Sequence, residues 1–125
     1  MERKKVRTFE DLIVWQKAIA FVKRVYLVTN QGDLKRDFGL KDQIRRAAAS
    51  IPTNIAEGFE RKRASSFALF LEYSRGSCAE LRAQLYLASD AGWLEPAELE
   101  RLMSLAGEVA RMLGALHRSQ SGHQE

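Results

Sequence analysis

Cysteine is nearly missing from this chain of 125 residues: Cys78 stands alone. A single thiol forms no internal disulfide and excludes a cysteine-rich zinc site. Proline is scarce, with only Pro52 and Pro96, and β-branched aliphatics are few, 11 Val and Ile against 16 Ala and 15 Leu. So few breakers and strand formers exclude a β-rich domain and favour helices. Histidine occurs twice, as His117 and His123. Gly114 and Gln120 stand three positions before them, so the Glu-x-x-His pairs of a di-iron bundle are lacking. A glycine-rich phosphate loop and a serine nucleophile elbow are also lacking. No apolar run approaches the ~20 residues of a membrane span. The basic start, Met1 to Arg7, leads into no apolar signal core. The expectation is a cytoplasmic protein with no metal, no cofactor, no membrane partner and no enzymatic activity.

The 46% of hydrophobic and 29% of charged residues suit one folded domain over residues 1–125. Charge is unevenly spread. Residues 1–63 hold 15 Lys and Arg against 8 Asp and Glu, and residues 64–125 hold 5 against 8. The halves are therefore +7 and −3, an asymmetry that hints at a nucleic-acid contact or at complementary subunit surfaces.

Hydrophobic spacing predicts four helices, over about residues 10–29, 39–61, 65–91 and 96–118, between a basic tail (1–8) and a flexible polar tail (119–125). Thr8 with Asp11 reads as a capping box for the first helix, and Ser65 or Ser66 as the cap of the third. The first helix has two apolar stripes, Leu12, Trp15, Ile19, Val22, Tyr26 and Val14, Ala18, Phe21, Val25, Val28. Together they span an arc of roughly 200°, where one core needs a stripe little over ~100° wide. The surplus predicts that this helix touches something more than its own bundle, with a second subunit as the leading reading. In the second helix the apolar period continues in phase through Pro52, which predicts one kinked helix rather than two. Short links then give an all-α, up-down-up-down antiparallel four-helix bundle.

Ser50, Asn54, Glu57 and Arg61 make a polar row on the second helix, and Tyr73, Ser77, Glu80 and Gln84 a matching row on the third. The two rows are expected to bond across the interface, with Arg46, Arg75 or backbone donors compensating Glu57 and Glu80, since an unpaired buried carboxylate costs several kcal/mol. Small residues, Gly58 on one helix and Gly76 on the other, would let the backbones approach. Two chemical alternatives exist: Glu57 and Glu80 as an acid–base pair, and a Cys78–His117 dyad. Neither has supporting ligands or loops, and a seam cysteine is usually a small buried apolar group.

Antiparallel topology gathers Arg3, Lys4, Lys5, Arg7, Arg61, Lys62, Arg63 and Arg118 at one end, against Glu2, Glu10, Asp11, Glu60 and Glu125. That end is a candidate site for weak, sequence-blind RNA or DNA binding that fades with salt. Aromatics for stacking bases do not interleave with these charges.

Phe9-Glu10-Asp11-Leu12 with Trp15 opens a longer pattern. Arg45-Arg46-Ala47, Ser50-Ile51-Pro52-Thr53-Asn54-Ile55-Ala56-Glu57-Gly58, Phe70-Leu71, Gly76-Ser77 and Glu80-Leu81 follow. The pattern resembles the four-helix-bundle proteins encoded in intervening sequences of bacterial 23S ribosomal RNA genes, over about residues 8–117. The resemblance implies a ring-like homopentamer and no catalytic residues. It implies packing or interface roles for Asn54, Glu57, Ser77 and Glu80, beside the structural positions Trp15, Phe21, Arg46, Ser50, Gly58 and Gly76. A related branch binds a reverse transcriptase and nucleic acid in diversity-generating retroelements. The net charge of +4 is lower than that branch shows.

Overall fold

In a computed structural model that describes residues 5–121, the chain forms four α-helices and, among the described residues, no strand. They are α1 (Ile13–Thr29), α2 (Phe38–Glu60), α3 (Ala64–Asp90) and α4 (Pro96–Ser121). Arg3 and Lys4, expected in the basic cluster, lie outside the described residues, as does His123.

Local chemistry explains most of the boundaries. The Asp11 carboxylate accepts the backbone N–H groups of Arg7 (2.9 Å) and Thr8 (3.1 Å). The Thr8–Asp11 box thus caps a 3-10 turn, Phe9–Asp11, rather than α1 itself. Leu12 is extended (φ −72°, ψ 125°), and α1 begins after it. A second 3-10 turn, Gly32–Arg36, inserts the buried Leu34 beneath the α1–α2 link, which the turn-like composition there had concealed. Asp37 starts α2 by accepting the Leu40 N–H at 2.9 Å. The cap expected from Ser65 or Ser66 is not used: α3 starts two or three residues earlier, behind an extended Arg63 with no side-chain cap. Here tight packing of the link, with the Phe59 and Phe67 rings edge to face at 5.7 Å, sets the start instead of a hydroxyl.

Helix α2 runs unbroken through Pro52. Proline supplies no N–H, so the carbonyl four residues earlier, Ala48 O, loses its helical donor. Side chains add bonds at the three carbonyls that follow. Thr53 Oγ1 donates to Ala49 O (2.8 Å), Asn54 Nδ2 to Ser50 O (2.8 Å), and Ser74 Oγ, from α3, to Ile51 O (2.8 Å). The Ser-Ile-Pro-Thr-Asn string is therefore a proline turn reinforced by side-chain hydrogen bonds and fastened to α3 by the buried Ser74.

The core is one cluster drawn from all four helices, with Phe21, Ile44, Ile51, Ile55, Leu71, Leu81, Leu85, Leu102 and Leu113 fully buried. Helices α2 and α4 each pack on both α1 and α3, so α1 and α3 stand diagonally across the bundle. Of the two α1 stripes, the one through Val14, Ala18, Phe21, Val25 and Val28 is buried; the other is only half covered. Phe21, counted with the interface positions, is a core residue.

Helices α1 and α4 are tied by Glu98, whose side chain is 17% exposed. Arg24 donates to it through Nε (3.0 Å) and Nη2 (2.5 Å), and Arg101 through Nη1 (3.0 Å). The Arg24 hydrogen bonds, reinforced by both positive charges, hold the Glu98 carboxyl below its usual range despite its desolvation. A depressed carboxylate adds stability that is complete above the unfolded value of about 4.3 and is lost as pH falls through the lower folded value. The stability advantage of wild type over Glu98→Gln is expected to be constant at neutral pH and to vanish only on acidification below about pH 4.3. Urea midpoints of the two proteins across that range check it.

Candidate functional site

The basic end forms where α1 begins, α2 and α4 finish and α3 starts. Lys5, Arg7, Arg61, Lys62, Arg63 and Arg118 are all exposed there. They are not equally free. Arg61 bonds Glu57 one turn back (3.0 Å) and lies over the Phe70 ring (5.0 Å to its centre). Lys62 sits in the left-handed region at φ 64°, the only non-glycine among the described residues to do so, with its ammonium 5.4 Å from the Phe59 ring centre. That backbone costs a non-glycine residue about 1–2 kcal/mol. The α2–α3 link thus presents three consecutive cations on a tightly turned scaffold.

The paired polar rows assemble only in part. Ser50 Oγ and Ser77 Oγ bond across the α2–α3 interface. The other members turn along their own helices: Asn54 to Ser50 O, Glu57 to Arg61, and Gln84 Nε2 to Glu80 at 3.3 Å. Glu57 and Glu80 are exposed, so neither needs the cross-interface partner expected for it. Arg46 bonds Asp42 (3.0 Å), not a row member. With Ser50 facing Ser77, antiparallel register sets Glu57 and Glu80 roughly ten residues, about 15 Å, apart along the bundle. They form no acid–base pair. The Cys78–His117 dyad fails for the same reason. Cys78 is buried and points its thiol at Ala106 O (3.6 Å), eleven residues short of His117. Burial pushes the thiol pKa up, away from a reactive thiolate, with only partial relief from Arg82.

The two glycines behave oppositely. At Gly58 a Cβ would fall 2.6 Å from Phe70 Cβ, so this glycine does allow α2 and α3 to approach. Gly76 is exposed, with nothing within 4 Å of such an atom, and is not a close-approach site.

Apolar surface accumulates on the diagonal helices. On α1, Leu12, Trp15, Ile19 and Val22 are half buried, Tyr26 is exposed, and Leu27 is 58% exposed. Val22, Lys23, Tyr26, Leu27, Asn30, Gln31 and Arg45 line an open groove of about 650 Å³. Arg45 organises it, donating to Thr29 Oγ1 (2.9 Å) and Tyr26 O (3.1 Å) with its guanidinium over the Tyr26 ring (4.4 Å). Arg45 also lines the next groove, beside Phe38, which is 78% exposed. On α3 a second strip, Leu69, Tyr73 and Leu87 (59% exposed), was not singled out from sequence. Its signal was there, since those positions share the outer face of α3, opposite Leu71, Cys78 and Leu85.

Among the described residues, no group of acidic, histidine or cysteine side chains could hold a metal ion, and no helix is long and apolar enough to cross a membrane. No curated protein matches the chain. A solved structure of a protein of unknown function of the S23 ribosomal protein family, from Bacteroides thetaiotaomicron, is similar to it with a TM-score of 0.79. The two are 20% identical, and the match covers 85% of this chain and 96% of that one. At that identity the likeness establishes the shared fold. The family model described as 23S rRNA-intervening sequence protein matches residues 10–115, nearly the whole bundle, and this chain accordingly belongs to that family.

Proposed function

We infer that the chain is a non-enzymatic protomer of a homo-oligomeric scaffold, a closed ring of five subunits, whose basic ends bind RNA or DNA weakly and without sequence preference. The observation that carries the assembly is the pair of apolar strips on α1 and α3. A two-fold dimer would bury one strip against itself and leave the other wet. Seating the α1 strip of one subunit on the α3 strip of the next covers both in every copy once the chain of contacts closes, and a head-to-tail contact whose rotation closes gives a ring. Lys23 and Arg45 border the first strip and Glu80 the second, so the charges complement. Light scattering on a size-exclusion column tests this reading. A mass several times 14.2 kDa at micromolar concentration is expected; a stable monomer would refute it.

In a ring built head to tail every basic end points to the same side, which multiplies a weak patch. Replacing Arg61, Lys62 and Arg63 together by Gln is expected to lower affinity for a short RNA about tenfold at low salt and to flatten its salt dependence. Equal binding by the triple variant would show that the end is not the site.

A further inference from the structure

A second cationic surface runs along the side of the bundle, in the half of the sequence whose net charge is negative. Helices α3 and α4 are antiparallel, with Cys78 facing Ala106. At 100° per residue, Arg75, Ala79, Arg82 and Tyr86 lie on the flank of α3 that borders α4, and Gly107, Ala110 and Gly114 on the flank of α4 that borders α3, with Arg111 and Arg118 further round toward its outer face. Between them lies a groove of about 410 Å³, lined by Glu72, Arg75, Gly76, Cys78, Ala79, Arg82 and Ala110. Its floor is small, and Arg75 and Arg82 stand on its α3 side beside Glu72.

The α4 wall has a repeat, Gly107 with Arg111 and Gly114 with Arg118, seven residues on. Each glycine lacks the side chain that would lift the arginine four residues later. Arg111 Nη1 lies 3.2 Å from where a Cβ of Gly107 would be, and Arg118 Nη1 lies 3.4 Å from that of Gly114. The guanidiniums therefore lie down along the helix beside the groove. Arg75 and Arg82 repeat the seven-residue interval on α3, about 10.5 Å along the axis.

What separates these arginines from the others on the helices is that they are unused. Arg24, Arg46 and Arg101 are ion-paired, and Arg45 is hydrogen-bonded to α1. Arg75, Arg82, Arg111 and Arg118 are exposed and have no ion-pair or hydrogen-bond partner among the described residues. Glu72 and Glu100 share the flank without engaging them. Two unpaired guanidiniums in the groove, with two more lying along α4 beside it, suit a linear chain of phosphates. Tyr86, 54% exposed and one turn beyond Arg82, adds a face on which one base can stack.

We propose that the α3–α4 groove is a track for the phosphodiester backbone of a single nucleic-acid strand, leading from the basic end at Arg118 up the side of the bundle past Arg111, Arg75 and Arg82. The track rests on the nucleic-acid reading of the basic end, with which it shares Arg118.

The test compares wild type, an Arg75→Gln/Arg82→Gln/Arg111→Gln variant, the Arg61→Gln/Lys62→Gln/Arg63→Gln variant and Tyr86→Ala. All are checked first for unchanged oligomeric mass and melting. Binding of a fluorescein-labelled oligouridylate of about 20 nucleotides is followed by anisotropy from ~50 to ~200 mM salt. The groove variant is expected to bind at least tenfold more weakly at low salt, with a slope of log affinity on log salt smaller by about 2, near 0.7 per lost contact. Tyr86→Ala is expected to lose up to about tenfold in affinity with its slope unchanged. If the groove variant binds like wild type while the end variant is weakened, the track is overturned and the basic end stands. If wild type binds no oligouridylate, the reading of the end fails and the track with it. Equal competition by polyglutamate would overturn nucleic acid as the occupant.

Discussion

Leu27→Lys and Leu87→Lys are each expected to collapse the assembly to a 14.2 kDa species, and a mixture of the two variants to regain mass as a dimer. Both leucines are more than half exposed, so neither change reaches the core, and surface substitutions of this kind usually shift stability by under about 0.5 kcal/mol. Each does place a charge in an apolar contact, where an unpaired buried charge costs several kcal/mol. The mixture is the decisive arm. Leu27→Lys keeps an intact α3 strip and Leu87→Lys an intact α1 strip, so a head-to-tail contact can form once between the two proteins and no further. A two-fold contact through one strip predicts otherwise: one variant would stay assembled, and mixing would restore nothing. Light scattering on the separate and mixed proteins, with circular dichroism melts to show that each is folded, distinguishes these cases. Assembly of both single variants at the wild-type mass would remove the strips from the account.

The second large effect is expected in the core. Gly58→Ala places a methyl 2.6 Å from Phe70 Cβ and 3.2 Å from Phe67 Cδ1. Phe70 Cβ is fixed to the α3 backbone and cannot swing aside, so the two helices must part by roughly 1 Å to restore ordinary contact. Overpacking of this kind costs about 1–3 kcal/mol, and separating α2 from α3 also loosens the Ser74–Ile51 bond that fastens the proline turn. Ala regains at most about 1 kcal/mol of helix propensity. The net loss of about 2 kcal/mol corresponds to a melting point lower by roughly 8 °C for a domain of this size. Gly76→Ala is expected to have the opposite sign. Nothing lies within 4 Å of its new methyl, so the helix gains about 0.5–1 kcal/mol. Both changes belong in the monomeric Leu27→Lys background, where subunit dissociation adds nothing to the melt. Two destabilised variants would mean that Gly76 is packed after all.

This pair of glycines marks how far the primary structure could be read. The residue string around Pro52 located one long helix, and the in-phase spacing of Ile44, Ile51 and Ile55 identified its buried face, because helical periodicity is a local property. The same local logic found the excess apolar stripe of α1. Charge at the basic end was also legible, since antiparallel topology alone brings those termini together. Polar pairing was less so. Glu57 and Glu80 look like partners by spacing, yet each bonds a neighbour one turn away on its own helix, where a contact costs less ordering than one across the interface.

The linear order of residues determined four amphipathic helices, their antiparallel course and membership of a family of bundles. Tertiary structure alone decided that α1 and α3 stand diagonally and turn two apolar strips to opposite sides. It decided that one glycine is a contact and another open space. It also set Arg75 and Arg82, from an acidic half, in a groove between α3 and α4, with Arg111 and Arg118 lying along α4 beside it. The physical reason is that helix formation depends on residues three and four apart, whereas a surface depends on which flanks of two rotated helices meet, and no window along one helix carries that angle.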